Sequence, residues 1–222
     1  MRKLSLTGLV ALAHEEKLKS LDPKASEYYI LVQDIRNNCN LDITFIDELI
    51  QTPDNISDAI PYLVDRMCSE KNAHVVGALV HALTRKYCFH LIDINKLIKK
   101  YKSFEDTWMK TSNSGAKGQL GRLISLMIDK DDLEKIYDVF LNDESLGDTR
   151  LWFLDVLNKY KANQKFYEYL ISHKDTYKTS DEIEIYESGV TCMKNKVLGV
   201  VINNILNSKK WKKFAEENKV IQ

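Results

Sequence analysis

A nine-residue pattern of apolar and polar positions recurs along this chain, and it restricts the possible folds more than any other feature. Copies occupy residues 77–85, 118–126, 151–159 and 199–207, and they align without gaps. Their first residues lie 41, 33 and 48 positions apart. Such periods are typical of repeats that each contain two helices.

A further amphipathic segment precedes each copy of the pattern. These segments are Ile56–Met67, Ile92–Tyr101, Leu133–Asn142 and Gln164–His173, with an extra helix predicted near Asp181–Met193. Apolar residues in them recur at steps of three and four, which indicates helices. Short polar clusters with capping residues, such as Ser69–Asn72, separate the segments. The sequence therefore predicts helical hairpins.

Composition favours the same all-α class. The 222 residues include 8 Gly and 3 Pro, few for a fold rich in β-turns. No segment shows a sustained alternation of polar and apolar residues, so no strand is predicted. The abundance of Lys, Asn, Ile and Tyr suggests AT-rich coding DNA and a bacterial source.

Charge and cysteine usage restrict the setting in which the protein acts. Lys plus Arg equals Asp plus Glu at 32 each, which disfavours nucleic acid and membrane surfaces as partners. The four cysteines lie far apart and are interpreted as reduced thiols. No apolar run reaches the ~20 residues of a membrane span. The run Leu4–Val10 resembles a short secretory signal, but an ordinary first helix is preferred, so a cytoplasmic protein is expected.

At Asn72–Leu83 the chain resembles the second helix of a HEAT repeat. The resemblance implies a right-handed α-solenoid of about four to five stacked hairpins. We expect a single helical-repeat domain over 1–222. Within it, 1–54 would form N-terminal helices, 55–207 the repeats and 208–222 a C-terminal cap.

One helix face of the repeats is a candidate binding surface. In the first clear copy, an apolar stripe is predicted at Val76, Leu79, Val80, Leu83 and Tyr87. The opposite face should carry a polar row, which the resemblance places on a concave surface. The predicted partner-binding residues are His81, Arg85, Arg122, Asp155, Lys159 and Asn203. The alternative interpretation is a solvated helix face without a ligand.

Motifs for cofactors, metals and catalysis are weak. Gly115, Gly118 and Gly121 could suggest a phosphate loop, but no Gly-Lys-Ser/Thr follows, and close helix packing is the better interpretation. His74 and His81 lack the spacing of a helical zinc site. No nucleophile motif is present. We therefore expect no enzyme activity, no cofactor and no bound metal.

Two features keep nucleic-acid binding open as an alternative. The run Lys209–Lys213 has Trp211 at its centre, which could stack on a base, although a soluble cap on the last repeat is preferred. Trp108, Trp152 and Asp155 also suggest the DNA alkylation-repair glycosylases, which resemble HEAT proteins in fold. The repeat register places Trp152 off the polar row.

The sequence therefore predicts a non-enzymatic protein that binds a protein partner on a concave helical face. A bacterial immunity protein or an adaptor subunit would fit this description. The alternative is a nucleic-acid-binding protein similar to the alkylation-repair glycosylases.

Overall fold

The fold is a series of short helices joined by polar connections. This computed structural model describes residues 23–44, 46, 48–51, 56–106, 114–129, 131–136, 141, 143–159, 163–174, 183–185, 191–193 and 196–218. The apolar run Leu4–Val10 and Trp108 lie outside these residues. Contacts divide the chain into two units, Met1–Lys100 and Tyr101–Gln222. The expectation of one repeat domain stays a prediction.

Helices account for every described element of the first unit. The α-helices are α1 (Pro23–Cys39), α2 (Glu48–Gln51), α3 (Ile60–Ser69), α4 (Ala73–Leu83) and α5 (Ile94–Ser103), the last crossing the unit boundary. Short 3₁₀-helices occupy Ser57–Ala59 and Lys86–Leu91. Asn40 follows α1 with a φ of 51°, the left-handed conformation that commonly ends a helix.

Helix α4 is the centre of the first unit, where it packs against α1, α2 and α3. The Asn72 side chain accepts hydrogen bonds from the backbone N–H groups of His74 and Val75, so the predicted cap is confirmed. The predicted stripe is buried, as expected, at Val76, Leu79, Val80 and Leu83. Tyr87 is the exception: it lies beyond the end of α4 and is 41% exposed.

The second unit contains a succession of packed helices. Its α-helices are α6 (Ala116–Met127), α7 (Leu133–Ile136), α8 (Leu151–Lys159), α9 (Gln164–His173), α10 (Lys196–Leu206) and α11 (Lys209–Glu217). Helix α8 packs against α6 on one side and α10 on the other, and α10 also contacts α9 and α11. Thus the copies of the nine-residue pattern in this unit lie on neighbouring helices, and the predicted helical class is confirmed.

A buried polar segment ties these helices together. The 3₁₀-helix Glu144–Arg150 contacts α6, α8 and α10. Asp148 accepts a hydrogen bond of 2.9 Å from the N–H of Leu198 in the first turn of α10. Thr149 bonds the Tyr101 hydroxyl at 2.7 Å, and the Arg150 guanidinium donates to a backbone carbonyl at 3.0 Å. Because buried polar groups need partners, these bonds fix the segment between the helices.

The prediction of an extra helix near Asp181–Met193 is wrong. Ile183–Ile185 and Thr191–Met193 instead form a short antiparallel hairpin, in which Glu184 pairs with Cys192. β-Branched residues in both segments favour extended backbone. Strands of three residues are too short to show a detectable alternation. Elsewhere in the described part of the chain, no helix is long and apolar enough to cross a membrane.

Candidate functional site

A cavity of about 330 Å³ opens on the surface of the second unit, between α6 and α8. Its volume lies at the lower end of the range for ligand pockets, which is roughly 300–1,000 Å³. Its lining combines charged, aromatic and aliphatic side chains. They are Arg122, Ser125, Leu126, Ile128, Trp152, Asp155, Val156 and Lys159.

The crossing of α6 and α8 depends on a residue without a side chain. A Cβ atom on Gly121 would lie 3.2 Å from a ring carbon of Tyr101 and 3.3 Å from the carbonyl oxygen of Thr149. The Tyr101 ring meets Phe153 of α8 edge to face at 5.6 Å. Gly121 therefore allows a close approach, and its neighbour Arg122 is exposed.

The charged groups of the cavity are not paired with one another. The Arg122 guanidinium lies over the Trp152 ring, 5.4 Å from its centroid, which is within range of a cation–π interaction. Within the described residues, the side chains of Arg122, Asp155 and Lys159 form no hydrogen bond or ion pair. Burial raises the pKa of Asp155. The donors of the two cations and the acceptors of the carboxylate are therefore available to a ligand.

Apolar side chains complete the cavity. Ile128 and Val156 are buried, whereas Leu126 is 49% exposed at the rim. Ser125 donates its hydroxyl proton to the Gly121 carbonyl oxygen at 2.7 Å, a local bond along α6. The cavity thus offers an aliphatic surface beside the charged groups, a combination that suits an amphipathic ligand.

The structure brings together three of the six predicted partner-binding residues, namely Arg122, Asp155 and Lys159. Asn203 does not line the cavity; its amide donates to the carbonyls of Gly199 and Lys174. His81 is exposed on α4, and Arg85 also belongs to the first unit. The role of all six in binding a partner stays a prediction.

The predicted helical placement of Arg85 is wrong. Helix α4 ends at Leu83, and the Thr84 hydroxyl donates back to the Val80 carbonyl at 2.7 Å, which satisfies a group that the helix end leaves free. Arg85 consequently has extended backbone, with a φ of −127°. Its guanidinium donates to the Leu49 carbonyl and to the Tyr87 hydroxyl. These contacts tie Arg85 to its own unit.

Trp152, which the repeat register places off the polar row, lines the same cavity as Asp155. Positions three and four apart share one face of a helix. Trp152 and Asp155 have this spacing on α8, as do Arg122 and Ser125 on α6. Helical spacing within each copy therefore adds Trp152 to the residues that the register between copies aligns.

Trp211 does not present its ring for stacking on a base. Its side chain is fully buried, stacks on Tyr167 at 6.1 Å and meets Phe166 edge to face at 5.3 Å. Its indole N–H donates to the Asn158 side chain at 2.8 Å. Lys210 donates to the Asn158 carbonyl. Helix α11 is therefore anchored by Trp211 at the end of α8.

A polar network in the first unit was not anticipated from the sequence. We call it the first-unit network, and it comprises Asp34, Asn38, Tyr62, Arg66 and Glu70. The Tyr62 hydroxyl donates to the Asp34 carboxylate at 2.5 Å, and Arg66 bridges Asp34 and Glu70 at 3.3 and 2.6 Å. Burial and the bond to Asp34 raise the pKa of Tyr62 to about 12.

Glu70 is the second carboxylate of this network. Burial alone would raise its pKa, but the backbone N–H groups of Asn72 and Lys71, together with Arg66, lower it overall. These residues link α3 to the start of α4. Since its members bond to one another, the network has a structural role.

The remaining motifs do not form a second site in the described part. Gly115 precedes α6 as its cap residue, and Gly118 and Gly121 are buried in the helix packing. No group of three His, Cys, Asp or Glu side chains among the described residues is placed to hold a metal ion. Cys39, Cys68 and Cys88 are free thiols, and burial raises the pKa of each.

Comparison with known proteins finds no matching family model, no similar curated protein and no similar solved structure.

Proposed function

We propose that this protein is a non-enzymatic interaction protein that binds a protein partner at the cavity between α6 and α8. The supporting observation is that Arg122, Asp155 and Lys159 line one cavity, and that their side chains form no hydrogen bond or ion pair within the described residues. Charges of both signs favour a protein partner, because complementary patterns of charge give protein interfaces their specificity. A polyanion would meet Asp155 as a repulsive group.

The proposal includes a right-handed, HEAT-like α-solenoid formed by a single repeat domain. The successive packing of α6, α8 and α10 supports it, since stacked repeats contact their nearest neighbours. Exposed His81, in the first unit, stays a predicted partner-binding residue. The role would suit a cytoplasmic bacterial protein, either an immunity protein that neutralises a toxin or an adaptor subunit.

A photocrosslinking residue at Leu126 tests this function, because this side chain is half-exposed at the rim of the cavity. Crosslinked proteins from the source cells would be identified by mass spectrometry and purified. Calorimetry with the purified partner should show binding that the double variant Arg122→Ala/Asp155→Ala weakens about 30-fold or more. Arg36→Ala, which removes a cation in the first unit, should bind normally.

Circular dichroism of the double variant should match that of the unchanged protein, since both side chains are exposed. If the double variant loses helical signal, the two residues are structural. If it binds the purified partner with unchanged affinity, the cavity is not the binding site.

Nucleic-acid binding is the second candidate, and Trp152 is the observation that favours it. An aromatic ring, a guanidinium and a carboxylate in one cavity could hold an unstacked base. Duplex and single-stranded DNA should be titrated at low and high salt. Binding that weakens steeply with salt and requires Trp152 would favour this candidate over a protein partner.

A further inference from the structure

The cavity has more positive than negative groups, because Arg122 and Lys159 line it with a single carboxylate, that of Asp155. Arg122 lies over Trp152 in the first turn of α8, and Lys159 is the last residue of that helix. Lys210 adds a third cation near the end of α8, where it donates to the carbonyl of Asn158. A ligand with carboxylate groups would therefore be attracted to the cavity.

The apolar part of the cavity needs a different kind of group. Leu126, Ile128 and Val156 form its aliphatic surface, and Trp152 contributes an aromatic one. A volume near 330 Å³ would hold about ten water molecules at their liquid volume of about 30 Å³ each. Displacing that water with an apolar side chain is favourable, because apolar surface of both the side chain and the cavity is then removed from water.

We infer that the partner presents an acidic segment, which inserts one aromatic or aliphatic side chain against Leu126 and Trp152 and pairs its carboxylates with Arg122 and Lys159. This inference rests on the proposed function. Guanidinium and carboxylate groups can form two parallel hydrogen bonds, and the donors of Arg122 are unused in the described structure. Asp155 would accept hydrogen bonds from the backbone N–H groups of the segment, and it would repel an anion of higher charge density.

Selection from a displayed library of short random peptides tests the inference without knowledge of the partner. The complete protein should enrich peptides that combine several Asp or Glu residues with one large apolar residue. The variants Arg122→Ala and Lys159→Ala should not enrich them. Arg36→Ala and Lys212→Ala remove a cation outside the cavity and should enrich the same peptides as the unchanged protein.

An enriched peptide would then be measured by fluorescence anisotropy, beside a copy with Asn and Gln in place of Asp and Glu. The amide copy should bind at least about 10-fold more weakly, as should the acidic peptide to Arg122→Ala. In the spectrum of protein labelled with ¹⁵N-tryptophan, the acidic peptide should shift the indole signal of Trp152. The signal of Trp211, which is buried and bonded to Asn158, should stay in place.

Enrichment of neutral or basic peptides, or of none, would overturn the inference, as would equal binding of the amide copy. If the crosslinked partner still requires Arg122 in that case, the proposed function stands and the inferred ligand chemistry fails. If single-stranded DNA shifts the Trp152 signal and competes with the peptide, both the inference and the proposed function fail.

Discussion

The first-unit network and the cavity of the second unit use the same kinds of side chain to different ends. In the first-unit network, the Asp34 carboxylate meets a tyrosine hydroxyl at 2.5 Å and a guanidinium at 3.3 Å. In the cavity, Arg122 and Asp155 line one space without bonding to each other. Charged groups that satisfy one another hold helices together, whereas convergent groups left unsatisfied can bind a ligand.

Charge alone therefore does not locate a binding surface in this protein. Both regions are mixed in sign and both are partly exposed, so composition does not separate them. What distinguishes them is whether the hydrogen-bonding capacity of the charged groups is used within the fold. Four experiments test this distinction.

The largest effect should come from the helix crossing that creates the cavity. Gly121→Val should lower the free energy of unfolding by about 2–3 kcal/mol, because the new side chain would overlap Tyr101 and the backbone at Thr149. Urea denaturation followed by circular dichroism measures the loss. Arg122→Val introduces the same β-branched residue at the exposed neighbouring position and should cost a few tenths of a kcal/mol. Similar losses for both variants would mean that the crossing tolerates a side chain.

Removal of an acceptor from the first-unit network should have the next largest effect. Asp34→Ala leaves the Tyr62 hydroxyl and Arg66 without their shared partner, so the free energy of unfolding should fall by about 1–2 kcal/mol. Ligand binding at the cavity should be unchanged. Asp155→Ala is the matched control: it should alter ligand binding and shift stability by no more than about 0.5 kcal/mol. Reversed outcomes would show that the two regions have been assigned the wrong roles.

Double-mutant cycles measure the distinction directly. Tyr62→Phe and Asp34→Asn should show a coupling energy of about 0.5–1.5 kcal/mol, since these two side chains are in contact. Arg122→Gln and Asp155→Asn should be additive within about 0.3–0.5 kcal/mol, because they do not pair. Coupling in the second cycle would indicate that the cavity charges satisfy each other in solution.

The dependence of stability on pH should have opposite signs in the two regions, with the smallest effect at the cavity. The pKa of Glu70 is lowered by folding, so its contribution is present above its unfolded pKa of about 4 and is lost as the pH falls through the folded value. The pKa of Asp155 is raised, so the folded protein holds its proton longer and loses stability as the pH rises through that value.

Asp155→Asn should therefore stabilise the protein slightly at pH 7, since solvent screens this exposed carboxyl, and the gain should disappear below about pH 4. Glu70→Gln should destabilise it at pH 7 and become neutral in acid. Thermal denaturation across this pH range checks both. A stabilising Glu70→Gln at pH 7 would contradict the assigned direction.

Local chemistry made much of the fold predictable from the sequence. The segment Gln164–His173 is a helix with the predicted bounds, and Asn72 caps α4 as its type suggests. Both depend on residues within one helical turn, where spacing and capping are decisive. Arg85 lies outside its helix because α4 ends at Leu83, earlier than the repeat pattern implies.

Contacts between distant residues could not be predicted in this way. Asp34 and Tyr62 lie 28 residues apart, and nothing in the spacing of either indicates their bond. The cavity is an intermediate case, because α6 and α8 each carry a periodic polar face. Their alignment required the crossing at Gly121, which depends on the shapes of Tyr101 and Phe153. Sequence pattern therefore located the faces, and side-chain packing decided which of them meet.

The anchoring of Trp211 and Lys210 on Asn158 makes the final helix a support for the preceding one. Lys159 follows Asn158 directly, at the last position of α8. In a protein that ended before Lys209, the end of α8 would lack the two side chains that donate to Asn158, and the last turn of α8 would fray. Proteolytic trimming near the C-terminus would then weaken ligand capture while sparing the upstream helices, so an intact tail is a requirement for any assay of this surface.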